Sequence, residues 1–222
     1  IELTDTAPPR VQRQHRAPPR WWPAFRIGAG AVGLGLIAVM AALVTRNAWP
    51  TDETRWLAIA WEMWTRSDLL VPRLNGVPAS VAPLFLWLVQ LGWLAFGVVE
   101  WWPRLVPALF MSGSLFLAAR MARFLWPGQG DAARHVPFAL LGGFYWVFSA
   151  TLLSADLLTV FFTLFALTAV LWMWRTRDQR VWLLLGLAFG LGLLASGSLI
   201  FLYVLPVALL APLWARGTPV MP

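Results

Sequence analysis

The chain contains no cysteine and little charge. The missing cysteine excludes disulfides and thiolate metal sites. Charged residues occupy 12% of the 222 positions, where a water-soluble domain carries about 25%. Hydrophobic residues occupy 59%, more apolar surface than one water-facing core can hide, so lipid is the expected solvent. Sixteen tryptophans agree with this, because the indole ring favours the membrane–water interface. Histidine is scarce too: His15 lies in the N-terminal tail and His135 in a short loop, which argues against a histidine metal pair. The net charge of +7 invites a nucleic-acid partner. The arginines, however, gather in the tail and in short loops, where they orient a membrane protein, and nucleic acid is excluded as a partner.

The apolar run 27–45 is too long for a signal-peptide core, and no small-residue cleavage site follows it. It reads as a retained transmembrane helix. The chain opens on Ile, so residues upstream of it are expected. Residues 1–26, "IELTDTAPPRVQRQHRAPPRWWPAFR", form a Pro- and Arg-rich tail that cannot build a core alone. The positive-inside rule places it in the cytoplasm, near anionic lipid headgroups, with a protein partner as the candidate for ordering it.

A membrane helix needs about 20 apolar residues. By that ruler residues 27–222 form one all-α, polytopic helical bundle of about six spans. They are expected at 27–45, 105–124, 136–153, 157–174, 181–195 and 199–214, with an outer loop at 46–103. Arg120, Arg123 and the "RTRDQR" stretch at 175–180 then share the inner side. The segment 83–98, "PLFLWLVQLGWLAFGV", is marginal as a span, and crossing the membrane would invert every later one. It is therefore expected to lie flat as a juxtamembrane helix. Gly186 and Gly190 form a G-xxx-G, read as tight packing within the bundle. The pair Trp101/Trp102, like Trp21/Trp22, is read as an interface anchor.

The outer loop opens on "TDETRWLAIAWEMW" at 51–64. Leu57, Ala60, Trp61 and Trp64 recur at helical spacing, with Arg55, Glu62 and Arg66 on the other side, so a short amphipathic surface helix is expected. Asp52 fits a helix N-cap and Glu53 a first-turn acid that complements the dipole. A second acid, Asp156 in "LLSADLLTVFF", falls where the third span meets the fourth. It fits a cap as well, with Ser154 as the alternative. An acid within an apolar run costs about 3 kcal/mol to insert, and such residues are usually kept for a site. Two acids on one outer face suit a base, or carboxylates binding a divalent metal, acting on a lipid-linked phosphate.

The stretch "TDETRWLAIAWEMWTRSDLLVPRLNG" resembles the first outer loop of bacterial aminoarabinose transferases and their protein O-mannosyltransferase relatives, membrane glycosyltransferases of the GT-C superfamily. The matching positions are Asp52, Glu53, Arg55, Ile59, Glu62, Met63, Asp68, Leu70, Val71, Pro72, Leu74, Asn75 and Gly76. The resemblance continues more weakly through 152–162 and the later spans. It implies sugar transfer from a polyprenyl phosphate at the periplasmic face of a bacterial inner membrane, with membrane lipids and the lipid-linked sugar as partners. It implies catalytic roles for Asp52, Glu53 and Asp156, and substrate contacts from Arg55, Arg73 and Asn75. Two lysines that the family uses on the lipid phosphate are Ala82 and Ser196 here, leaving Arg55, Arg73 or Arg104 to replace them. Relatives have about twice as many spans, so the expectation is either the N-terminal half of an enzyme or a shortened, non-catalytic subunit of a larger membrane complex. A transporter is disfavoured, because no charge sits mid-span in an ion path.

Overall fold

The computed structural model describes residues 52–126, 130–176 and 179–214, with single positions 33, 35, 37, 40 and 41. Those five positions are helical. The tail 1–26, His15, Trp21/Trp22 and the rest of the expected first span lie outside the described residues.

Among the described residues two helices are both long and apolar enough to cross a bilayer, α3 (Trp101–Leu125) and α6 (Asp156–Thr176). The central helix is α6, which packs against α3, α7 (Val181–Ser196) and α8 (Leu199–Leu209). Phenylalanine rings mesh α3 with α6, Phe110 meeting Phe161 edge-on at a 5.2 Å centroid distance. Gly113 admits that ring, since a Cβ there would lie 2.7 Å from it. The orientation of the pair is fixed at the far end, where the Arg120 guanidinium stacks over the Trp172 ring. The C-terminal ends of α3 and α6 therefore lie together, sixteen residues (about 24 Å of helix rise) from Asp156.

The loop 46–103 is structured throughout its described part. It contains α1 (Asp52–Arg66), a two-strand hairpin of β1 (Arg73–Leu74) and β2 (Val77–Pro78), and α2 (Leu84–Phe96). The 13 residues of α2 rise about 20 Å, less than the roughly 30 Å of a bilayer core. This helix lies against α1, α3 and α7, and Ile59, Met63, Phe85, Val89, Leu158 and Phe162 share one buried cluster.

Five expectations are corrected. The expected span 136–153 is two helices, α4 (Gly130–Gly142) and α5 (Phe144–Thr151), because Gly143 adopts an extended backbone that breaks the ladder. Helix α4 also takes in 130–135, which the sequence suggested as loop. The expected sixth span stops at Leu209 and resumes as the short α9 (Ala211–Trp214). Gly186 and Gly190 do not pack inside the bundle: nothing described lies within 4 Å of a Cβ at either. Trp102 is not an outward anchor; its indole N–H donates to the Leu88 carbonyl at 3.0 Å beneath α2. Gly92 clears the space for that indole, a Cβ there being forced into the Trp102 ring.

Candidate functional site

The site sits where the start of α1 meets the turn between α5 and α6. Asp52 and Glu53 occupy the first turn of α1, where negative charge complements the helix dipole. Asp52 belongs to the helix rather than preceding it as a cap, and its side chain is exposed. Glu53 turns the other way. It is 1% exposed, and its Oε1 accepts the Leu153 backbone N–H at 3.2 Å, across 100 residues of sequence. This contact ties the first outer loop to the second. Leu153 is followed by Ser154, whose hydroxyl donates to Asp156 Oδ2 at 3.2 Å, and Asp156 opens α6 with its carboxylate exposed. The segments bearing Asp52 and Asp156 thus share one end of the bundle, and the Arg120–Trp172 contact marks the other.

The buried stripe of α1 is Glu53, Ile59, Ala60 and Met63. Trp61, expected in that stripe, is 50% exposed, and Glu62, expected to face away, is half-buried with a structural task. Glu62 Oε1 accepts the Gly76 N–H at 2.8 Å and pairs with Arg66 at 3.0 Å. The Asn75-Gly76 corner it holds has φ of 55° and 83°, the left-handed pair that a tight two-residue hairpin demands. Asp68 Oδ1 accepts the Leu70 and Val71 N–H groups at 3.1 and 3.2 Å, an Asx turn. Arg73 is half-buried, 3.9 Å from Asp68 and donating to the Gly76 carbonyl at 3.4 Å. Arg73 and Asn75 therefore stand near Glu62, ten helical positions (about 15 Å) along α1 from Asp52. The structure does not bring them together with the two exposed acids. Arg55 is exposed one turn from Asp52, at the i,i+3 spacing of helix neighbours.

At the two positions where lysine was expected, Ala82 is half-buried ahead of α2, and the Ser196 hydroxyl donates to the Gly192 carbonyl at 3.0 Å. Arg104 is buried in the first turn of α3. Among the described residues no three His, Cys, Asp or Glu side chains gather closely enough to hold a metal ion.

Beside Asp156 opens a cavity of about 340 Å³, lined also by Tyr145, Thr159, Thr163, Leu199 and Tyr203. Reasoning from sequence missed it. Its signal was the tyrosine count: the chain has two, and both line this cavity, 66% and 49% exposed. The buried Thr163 hydroxyl has no hydrogen-bond partner among the described residues, whereas Thr159 and Thr168 each donate to a carbonyl one turn back.

Residues 80–219 match the family model described as dolichyl-phosphate-mannose-protein mannosyltransferase. The chain belongs to this family. Members similar to it include undecaprenyl phosphate-alpha-4-amino-4-deoxy-L-arabinose arabinosyl transferase 1 of Pseudomonas fluorescens, 30% identical over 83% of this chain and 34% of that protein. Transferase 2 of the same species is 28% identical over 97% and 39%. Among solved structures, ArnT from Cupriavidus metallidurans bound to undecaprenyl phosphate superposes with a TM-score of 0.70 at 24% identity, covering 85% of this chain and 37% of ArnT. Its apo form gives 0.73 over 88% and 37%. These likenesses establish the GT-C fold and bear out the resemblance read from the first outer loop and the all-α, polytopic membrane architecture. The chain spans about a third of the length of the curated mannosyltransferase-family relatives it matches.

Proposed function

We propose that this chain is the N-terminal module of a membrane glycosyltransferase that moves a sugar from a polyprenyl-phosphate carrier to an acceptor hydroxyl. The observation that carries the reading is the Glu53–Leu153 hydrogen bond, which holds the segments of Asp52 and Asp156 at one end of the bundle. Relatives named as acting on an undecaprenyl-phosphate aminosugar support the donor class. They lend the alternative, a non-catalytic subunit, no support.

Asp52 is the general base. Its carboxylate is exposed at the helix start, where an acceptor hydroxyl can reach it. It takes the acceptor's O–H proton as that oxygen bonds to the sugar's C1. The C1–O bond to the carrier breaks in the same displacement and its electron pair leaves with the polyprenyl phosphate. Asp156 faces the tyrosine-lined cavity and holds sugar hydroxyls as an acceptor. Arg55 takes the phosphate in place of the two missing lysines, because Arg73 is engaged with Asp68 and Arg104 is buried. Glu53 positions both loops and touches no reactant. The acid end faces the periplasm and the tail at 1–26 the cytoplasm of a bacterial inner membrane, a reading supported by the arginines of the tail and of 120–123 and 175–180.

The test is transfer from a polyprenyl-phosphate sugar, with the full protein in nanodiscs. Asp52→Asn is expected to lower kcat at least 100-fold without lowering Tm, and Arg55→Ala to raise KM for the donor with a smaller effect on kcat. Wild-type turnover in Asp52→Asn overturns the assignment. Because the native chain has no cysteine, single cysteines introduced at 54 and 154 should label from the same side of the membrane, and one at 179 from the other.

A further inference from the structure

A second cavity, of about 770 Å³, lies between α1, the 67–70 loop and α2, away from Asp52 and Asp156. Its size is that of pockets which enclose a small ligand. Met63, Trp64, Leu69, Trp87 and Leu94 line it, and no lining side chain carries a charge. One wall is polar. Gln90 is 6% exposed, and its Nε2 has no hydrogen-bond partner among the described residues.

The neighbouring donors make this unusual. Trp87 Nε1 donates to the Leu69 carbonyl at 2.7 Å, Trp93 Nε1 to Val99 at 3.0 Å and Trp102 Nε1 to Leu88 at 3.0 Å. These three indoles are matched inside the protein, while the Gln90 amide facing the apolar cavity has no match among the described residues. A buried amide N–H without an acceptor is costly, so an occupant that repays it must bring an oxygen. It must also bring hydrocarbon, to match the walls. A phosphate would meet no counter-charge there, and burying an uncompensated charge is prohibitive. A neutral carbonyl meets both demands. Trp61 and Trp64, each in edge contact with Trp93, suit the depth of the membrane interface, where the ester groups of bilayer lipids lie.

We propose that this cavity binds one acyl chain of a bilayer glycerophospholipid, whose ester carbonyl accepts the Gln90 Nε2–H. The site is separate from the proposed transfer chemistry and stands or falls without it. The probe is a phosphatidylethanolamine with a diazirine in its acyl chain, cross-linked to the full protein in nanodiscs and mapped by mass spectrometry. Adducts are expected to concentrate at Met63, Leu91 and Leu94 over the lipid-exposed Leu183 and Leu202. Gln90→Leu and Gln90→Met should each lower the cavity adducts about five- to tenfold, as should an ether-linked analogue on the wild type. In lipid-free detergent both variants should melt above wild type, having lost an unmatched donor, and added ester lipid should close that gap. Even labelling over all lipid-facing leucines overturns the site. An ether analogue that labels as strongly as the ester, or a diazirine polyprenyl phosphate that displaces it, overturns the ester assignment.

Discussion

The outer loop and the helical bundle are held together by different means. Between Asp52 and Ala79 the chain is pinned by carboxylates. Glu53 holds Leu153, Glu62 holds Gly76, and Asp68 holds Leu70 and Val71, each through backbone N–H groups. In α6 and α7 the Thr168 and Ser196 hydroxyls bond back along their own helix, and association rests on shape: Phe110 against Phe161, and Gly192 admitting Ile200 and Phe162. The difference follows from solvent. In lipid there is no hydrophobic drive between helices, so close fit does the work. At the interface, water competes for every backbone group, and a loop needs bonds that only particular side chains supply. The loop therefore carries a specific residue pattern, while the bundle tolerates any sequence of the right volumes.

Substitutions should separate the two regimes. The largest effect is expected in the bundle at Met111→Ala, a fully buried side chain whose loss leaves a cavity and costs about 3 kcal/mol, read as Tm in detergent. Glu53→Ala should cost about 2 kcal/mol by stripping the Leu153 N–H of its acceptor, and should lower transfer as well. Glu53→Gln, which keeps an oxygen acceptor, should restore most of both; a Gln variant as damaged as the Ala variant would show that charge rather than the bond matters. Gly92→Ala should cost about 2 kcal/mol, because the Trp102 indole must move and release the Leu88 carbonyl. Gly76→Ala should cost about 1 kcal/mol through its positive φ. Gly190→Ala should go the other way, adding a few tenths up to about 1 kcal/mol of helix propensity, since nothing described crowds the new methyl. A marked loss there would mean that this face packs against something.

Much of the fold was legible from local pattern. The apolar runs marked α3, α6 and α7 to within a few residues, whereas the hairpin at Asn75-Gly76 went unread. The breaks at Gly143 and Leu210 were not legible, because a glycine or proline inside an apolar run is as often tolerated in a membrane helix as it is disruptive. The stripe of α1 was misjudged at Trp61 because periodicity ranks residues by polarity, and a carboxylate at 53 weighs against the face that in fact turns inward.

The sequence by itself established that lipid is the solvent of this chain and that its backbone is helical, since the first rests on composition and the second on residues close together in sequence. Only the tertiary structure decided that Glu53 is buried while Asp52 is exposed, that Arg73 pairs with Asp68, and that two tyrosines 58 positions apart line one cavity with Asp156. The fate of a side chain at position 53 is settled by an N–H at position 153, and no local pattern contains a partner so far along the chain.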